Sequence, residues 1–253
     1  KRKLTHWQTM KSSIKSMKNK ILLIVVLISF LSFFLNTFKK DLSPPCFTAD
    51  EAAFAYNSYS ILKTGKDEYG NFMPLRLKSF NDNKLPLYSY LSMPFIKFMG
   101  LSETSARALN DLVSIFIPIA VFFLVKELFN KNSIALIGAF LTASSLGLHL
   151  IGRQTHEAYL TALLITISAL FFIRSLKKIN ILNSLLFIIP LILSLFSYQS
   201  SRIFAVYFLI FSAVYFLFVL KNKKYSKSLF ISLIFISIIA FSYTDFKYSP
   251  TRL

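Results

Sequence analysis

Two adjacent carboxylates, Asp50-Glu51, are followed by a helix-favouring run of small and aromatic residues, Ala52-Ala53-Phe54-Ala55-Tyr56. Placed at a helix N-terminus, ionised carboxylates are favoured by the helix dipole. An ionised carboxylate there can accept a proton from an attacking hydroxyl or ligate a divalent cation. If a divalent metal takes part, Asp50 and Glu51 are its candidate ligands. Plain helix capping is the alternative, since many helices begin with an acidic residue. Lys84, two residues before Pro86 and beside the turn residue Asp82, offers an amine for a phosphate. Arg107, Arg153 and Arg202 head or follow apolar segments, where a guanidinium can hold a phosphate or carboxylate in two-point contact. His156-Glu157 and Tyr198 lie on the same two later turns as Arg153 and Arg202. Pairing with Glu103, Asp111 or Glu157 is the simpler explanation for each base. A shared anionic ligand accounts for all four together.

The elements that must position these groups are mostly apolar. Of 253 residues, 55% are hydrophobic and only 16% charged, against about 25% charged in a soluble domain. Mean hydropathy is +0.57. The expected class is an all-α polytopic membrane protein. Apolar spans are expected at about 21–38, 108–125, 134–150, 156–173, 179–198, 203–220 and 228–243, with a long polar insert over 39–107. A perpendicular crossing takes about 20 residues, so the second and fourth spans draw in polar residues at their starts, including Asn110, Asp111, His156 and Glu157. Pro118 and Pro190 are the clear interruptions within spans.

The net charge of +18 does not point to nucleic acid. Basic residues gather in the N-terminal tail and in the turns at 126–131, 174–178 and 221–227. With seven crossings these fall on one side, which the positive-inside rule makes cytoplasmic. The 39–107 insert, with nine basic and seven acidic residues, falls outside with the turns at 153–157, 198–202 and 245–252. Localisation in the cell membrane, N-terminus inside, follows. The region 21–38 lacks the small-residue cleavage site of a secretory signal.

Within the insert, Asp50 is expected to cap a helix from Glu51 to about Lys63, stopped by Gly65. A second helix over Leu87–Met99, holding Pro94, carries Tyr88, Tyr90, Phe95 and Phe98 and suits the headgroup layer. Asp67-Glu68 reads as a solvated turn, and His149 and the tail residues His6 and Trp7 receive no task. Cys46 stands alone, which excludes an internal disulfide. The sequence has no phosphate-binding loop, dinucleotide fingerprint, zinc signature or serine nucleophile elbow.

These pieces, in order, carry a resemblance. They are Pro44-Pro45, Asp50-Glu51-Ala52-Ala53-Phe54-Ala55-Tyr56, Thr64-Gly65, Pro74, Lys84-Leu85-Pro86-Leu87-Tyr88, Ser105-Ala106-Arg107, Arg153-Gln154-Thr155-His156-Glu157 and Tyr198-Gln199-Ser200-Ser201-Arg202. Over residues 20–250 the chain resembles the GT-C membrane glycosyltransferases, the group of protein O-mannosyltransferases and the lipid A aminoarabinose transferase. The resemblance implies a hexosyl or pentosyl transferase that moves a sugar from a polyprenyl-phosphate carrier to a lipid, protein or glycan acceptor, with inversion. It implies Asp50 as the essential acid with Glu51 beside it. It implies Lys84, Arg107, Arg153 and Arg202 as ligands of the carrier phosphate, supported by Tyr56, Asp82, His156, Glu157 and Tyr198. Some relatives have two prolines after the lysine where this chain has Leu85-Pro86, and a tyrosine near Phe54. Relatives continue through further spans, so an N-terminal fragment is expected. A multispan transporter or flippase for a lipid-linked or anionic solute is the rival reading; it would usually carry broken helices or charges at mid-membrane.

Overall fold

The computed structural model describes residues 2–219 except 41, 45, 81 and 179. Nine helices and one small hairpin are present among them: α1 (Arg2–Thr37), α2 (Ala49–Thr64), β1 (Leu77–Ser79), β2 (Asp82–Lys84), α3 (Leu87–Met99), α4 (Glu103–Phe129), α5 (Asn132–Ala143), α6 (Leu146–Gly152), α7 (Glu157–Lys177), α8 (Ile181–Leu195) and α9 (Gln199–Val219). The expected span over 228–243, the end of the span at 203–220 and the turn at 245–252 lie outside the described residues.

Among the described residues, three helices are long and apolar enough to cross a membrane: Asn19–Thr37 of α1, α4 and α7. The expected span over 134–150 is instead two helices, α5 and α6, bent by 51° at Ser144–Ser145; counted as one, they make a fourth crossing. The expected span over 179–198 shortens to the apolar helix α8. Pro118 and Pro190 sit inside α4 and α8 without ending them. The break comes at serines. Ser144 closes α5, its amide and hydroxyl both donating to the Phe140 carbonyl, and Ser145 caps α6 by accepting from the Leu148 amide.

Helix α4 is the hub. Its buried residues Leu109, Val113, Ile117 and Ala120 recur at three- and four-residue spacing and pack with Tyr159, Leu160, Leu163 and Leu164 of α7, the stripe expected of one helical face. On its other side Phe122 meets Val25 and Ile28 of α1 and the stripe Ala135, Ala139 and Ala143 of α5. Such small residues let helices approach closely within a membrane.

The insert is built on local caps. Thr48, two residues before the expected Asp50, caps α2: its hydroxyl accepts from the Glu51 amide at 3.2 Å while the Glu51 carboxylate accepts from the Thr48 amide at 3.1 Å. Gly65, at φ +71°, ends the helix, a left-handed conformation that glycine adopts without strain. The expected helix over Leu87–Met99 is present as α3, where Tyr88 is fully buried against Phe54, ring centroids 5.2 Å apart, and Phe98 is exposed. Its first amide, Leu87, donates to the Phe196 carbonyl at 3.0 Å, tying the insert to the end of α8. Between α2 and α3 stands the antiparallel pair β1–β2, with Leu77 opposite Lys84 and Ser79 opposite Asp82.

Candidate functional site

The polar turns converge at one end of the bundle. Gln199, at the start of α9, donates to the Asn83 carbonyl of the hairpin at 3.0 Å. Asn110 of α4 donates to the carbonyls of Gln154 and His156 at 2.7 and 3.1 Å. At the opposite end, Glu127 accepts from Arg174 and Lys177, both at 2.9 Å. The grouping of the 39–107 insert with the 153–157 and 198–202 turns is therefore a feature of the fold.

The hairpin, the α2 N-terminus and the two later turns enclose a cavity of about 240 Å³ lined by Asp50, Asp82, Lys84, Glu157, Tyr198 and Gln199, together with Asn83, Leu85, Ser197 and Ser200. Asp50 presents its carboxylate here, 71% exposed. The Lys84 amine, only 7% exposed, reaches Asp50 at 2.5 Å and Asp82 at 3.2 Å and lies 5.6 Å from the Phe54 ring centre. Burial works against its charge, but the two carboxylates outweigh burial and raise its pKa above the ordinary 10.5; Lys84 is an ammonium at any physiological pH. Glu157 opens α7, and His156 caps it by accepting the Ala158 amide at 3.2 Å. The His156 and Tyr198 rings meet edge to face at 6.1 Å.

Glu51 is placed otherwise than expected. It is 1% exposed, and Arg107 grips it in two-point contact, Nε to Oε1 at 2.7 Å and Nη2 to Oε2 at 3.0 Å. The Thr155 amide adds a bond at 2.9 Å. Burial pushes the carboxyl up, but Arg107 and the Thr155 and Thr48 amides outweigh it and hold its pKa below 4.5. Both oxygens are spent, so Glu51 does not fit as a metal ligand or a base. Arg107 is spent too: Nη2 donates to the Cys46 carbonyl at 3.3 Å and Nη1 lies 3.5 Å from Glu103. Arg153 donates to the carbonyls of Leu35, Phe38, Lys39 and Ser43 at 2.8 to 3.0 Å. It caps the C-terminus of α1 and does not line the cavity. Arg202 is buried, its Nε donating to the Leu195 carbonyl at 3.3 Å, also outside the lining. Tyr56 is exposed on α2. Among the described residues no group of three or more His, Cys, Asp and Glu is arranged to hold a metal ion.

Of the expected site residues the cavity thus gathers Asp50, Lys84, Asp82, Glu157 and Tyr198, with His156 at its edge. Asn83, Ser197, Gln199 and Ser200 were not singled out. The flanking asparagines of Asp82 and the run Tyr198-Gln199-Ser200-Ser201 were the available signals for them.

Residues of the 39–107 insert and of later helix ends thus converge at one end of a mostly helical bundle. No family model matches the chain, and no curated protein matches it. Among solved structures it is similar to the oligosaccharyltransferase of Archaeoglobus fulgidus tethered with an acceptor peptide carrying an NVT sequon, with TM-score 0.64 and 18% identity over 91% of this chain. It is also similar to the oligosaccharyltransferase AglB of the same archaeon in complex with an inhibitory peptide and a dolichol-phosphate, with TM-score 0.62 and 16% identity over 92% of this chain. The chain spans about 30% of the length of each.

Proposed function

We propose that this chain is the membrane module of a glycosyltransferase that takes a sugar from a polyprenyl-phosphate carrier and passes it to a hydroxyl or amide acceptor outside the membrane. The observation that carries the reading is Asp50: an exposed carboxylate at a helix N-terminus, 2.5 Å from the buried ammonium of Lys84, in a polar cavity at one end of an apolar bundle. The shared fold, whose solved example holds a dolichol-phosphate, supports the same donor class. The end of the bundle holding 39–107 is extracytoplasmic in this reading, since Arg174 and Lys177 lie at the other end with the positive-inside bias.

The step is a direct displacement. Asp50 takes the proton of the acceptor, the acceptor atom forms a bond to the anomeric carbon on one face, and the bond from that carbon to the phosphate oxygen breaks on the other. The electron pair leaves with the polyprenyl phosphate, and configuration inverts. Lys84, held beside Asp50, compensates the charge growing on the leaving phosphate. Asp82 shares Lys84 and sets its position. Tyr198, Gln199 and Glu157 line the space for the sugar. Glu51 and Arg107 act through α2: their pair fixes the helix whose first turn carries Asp50. If a divalent metal joins the site, Asp50 would hold it, with Asp82 and Glu157 the other carboxylates of the cavity lining.

The test is an assay of the full-length protein against a panel of polyprenyl-phosphate sugars. Transfer from any of them with inversion supports the reading. Sugar-lipid movement across the membrane without transfer would assign the fold to a transporter instead.

A further inference from the structure

At the end of the bundle away from Asp50, α1 and α4 form an apolar groove with a cavity of about 310 Å³. Ile21 and Val25 face it from α1, and Ile119, Phe122 and Lys126 face it from α4, each set at the spacing of one helical face. Asn132, at the start of α5, completes the lining. The groove opens along Leu22, Val26 and Phe123, which line it and are exposed.

Two polar groups stand in this apolar wall, and each lacks a counterpart. The Lys126 amine lies 5.8 Å from the Phe122 ring centre, and among the described residues no carboxylate pairs with it. The neighbouring Glu127 is taken by Arg174 and Lys177, both at 2.9 Å. Arg174 also comes near, 5.8 Å from the Phe123 ring centre, but Glu127 already holds it. The second group is Asn132 Oδ1, buried with no hydrogen-bond partner among the described residues. No acidic residue lines the groove. A lysine in the last turn of a helix answers the helix dipole, which accounts for the charge of Lys126 but not for a buried acceptor beside a hydrocarbon-facing groove. Buried polar atoms are normally bonded.

We infer that this groove binds an anionic phospholipid whose headgroup carries a hydroxyl, phosphatidylglycerol in chemical type, from the leaflet at the basic end of the bundle. The phosphate lies toward Lys126, a headgroup hydroxyl donates to Asn132 Oδ1, and an acyl chain follows the stripe of Leu22, Val26 and Phe123. An ethanolamine ammonium would meet Lys126 with no carboxylate to receive it. A choline headgroup carries the same positive charge and has no donor for Asn132. The inference does not rest on the transferase reading.

Native mass spectrometry of the full-length protein in detergent tests it, with separate titrations of phosphatidylglycerol, phosphatidylmethanol, phosphatidylethanolamine and phosphatidylcholine. Phosphatidylmethanol has the negative charge without the hydroxyl. Retention of phosphatidylglycerol about tenfold above the two zwitterionic lipids is expected, a difference of about 1.4 kcal/mol. An excess of about threefold over phosphatidylmethanol is expected, in the range of one hydrogen bond. Lys126→Met keeps an apolar stem against Phe122 and is expected to level phosphatidylglycerol with phosphatidylcholine. Asn132→Ala removes the unpartnered oxygen and is expected to level phosphatidylglycerol with phosphatidylmethanol while both stay above phosphatidylcholine. Should either variant fail to fold, the ranking of the four lipids on the wild type decides. Equal retention of all four, a zwitterionic lipid ranked first, no excess over phosphatidylmethanol, or preferences unaltered in the folded variants would each overturn the inference.

Discussion

Glu51 and Arg107, 56 residues apart in sequence, meet at 2.7 Å with almost no access to solvent. The pair joins the first turn of α2 to the second turn of α4, and the Thr155 amide on Glu51 brings in the turn before α7. Asp50, next in the chain, faces the other way and stays exposed. Two adjacent carboxylates thus divide into one that fixes the helix and one that is presented by it.

Breaking that pair leaves an uncompensated buried charge, which costs about 3–5 kcal/mol. Glu51→Gln and Arg107→Leu are each expected to lower the unfolding midpoint in detergent markedly. The double variant is expected to be less destabilised than the sum of the two singles. A midpoint unchanged in both singles would contradict the role assigned to the pair.

Glu51 also sets an acid limit. Its folded pKa is depressed below 4.5, so the stability it contributes is present above about 4.5 and is lost as pH falls through the folded value. Stability of the wild type, followed by thermal unfolding from pH 6 downward, is expected to decline in that acid window. Glu51→Gln is expected to show a flatter dependence there.

Glycine positions give a graded test of packing. A Cβ at Gly152 would lie 2.6 Å from Asn36 Oδ1 and 2.9 Å from Tyr159 Cζ, whereas one at Gly147 meets nothing within 4 Å. Gly152→Ala is expected to cost about 1–3 kcal/mol by overpacking. Gly147→Ala is expected to be neutral or to stabilise by up to about 1 kcal/mol through helix propensity. Equal midpoints for the two would contradict the close approach of α6 to α1 and α7.

Much of the insert was legible because its signals are local. Gly65 stopped α2, and the aromatic spacing of 88–98 marked α3. Thr48 took the cap from Asp50 because its hydroxyl and the Glu51 carboxylate form a reciprocal pair, which frees Asp50 for the cavity. The hairpin escaped because three-residue strands carry no period, and Phe80 turns at φ +48° without the glycine that usually signals it. The bend at Ser144–Ser145 escaped because prolines draw attention and serines do not. The arginines were the least legible. A guanidinium serves a ligand phosphate, a buried carboxylate or a set of carbonyls with the same atoms, and only the fold separates the Glu51 partner Arg107 from the helix cap Arg153.

Lys84 and Asp50 are expected to act as a unit. Lys84→Met should weaken donor binding and slow transfer, and combining it with Asp50→Asn should cost little beyond Asp50→Asn alone, as residues in one contact network are not additive. Additive losses, measured as kcat/KM for the four proteins, would separate the two roles.

The most direct measurement is single-turnover sugar transfer by full-length wild type and Asp50→Asn, with donor-lipid binding measured in parallel. The account predicts a fall in rate of about 10²–10⁴-fold, the range for a lost general base, with donor binding retained. An Asp50→Asn protein that binds donor and transfers sugar at the wild-type rate would contradict it.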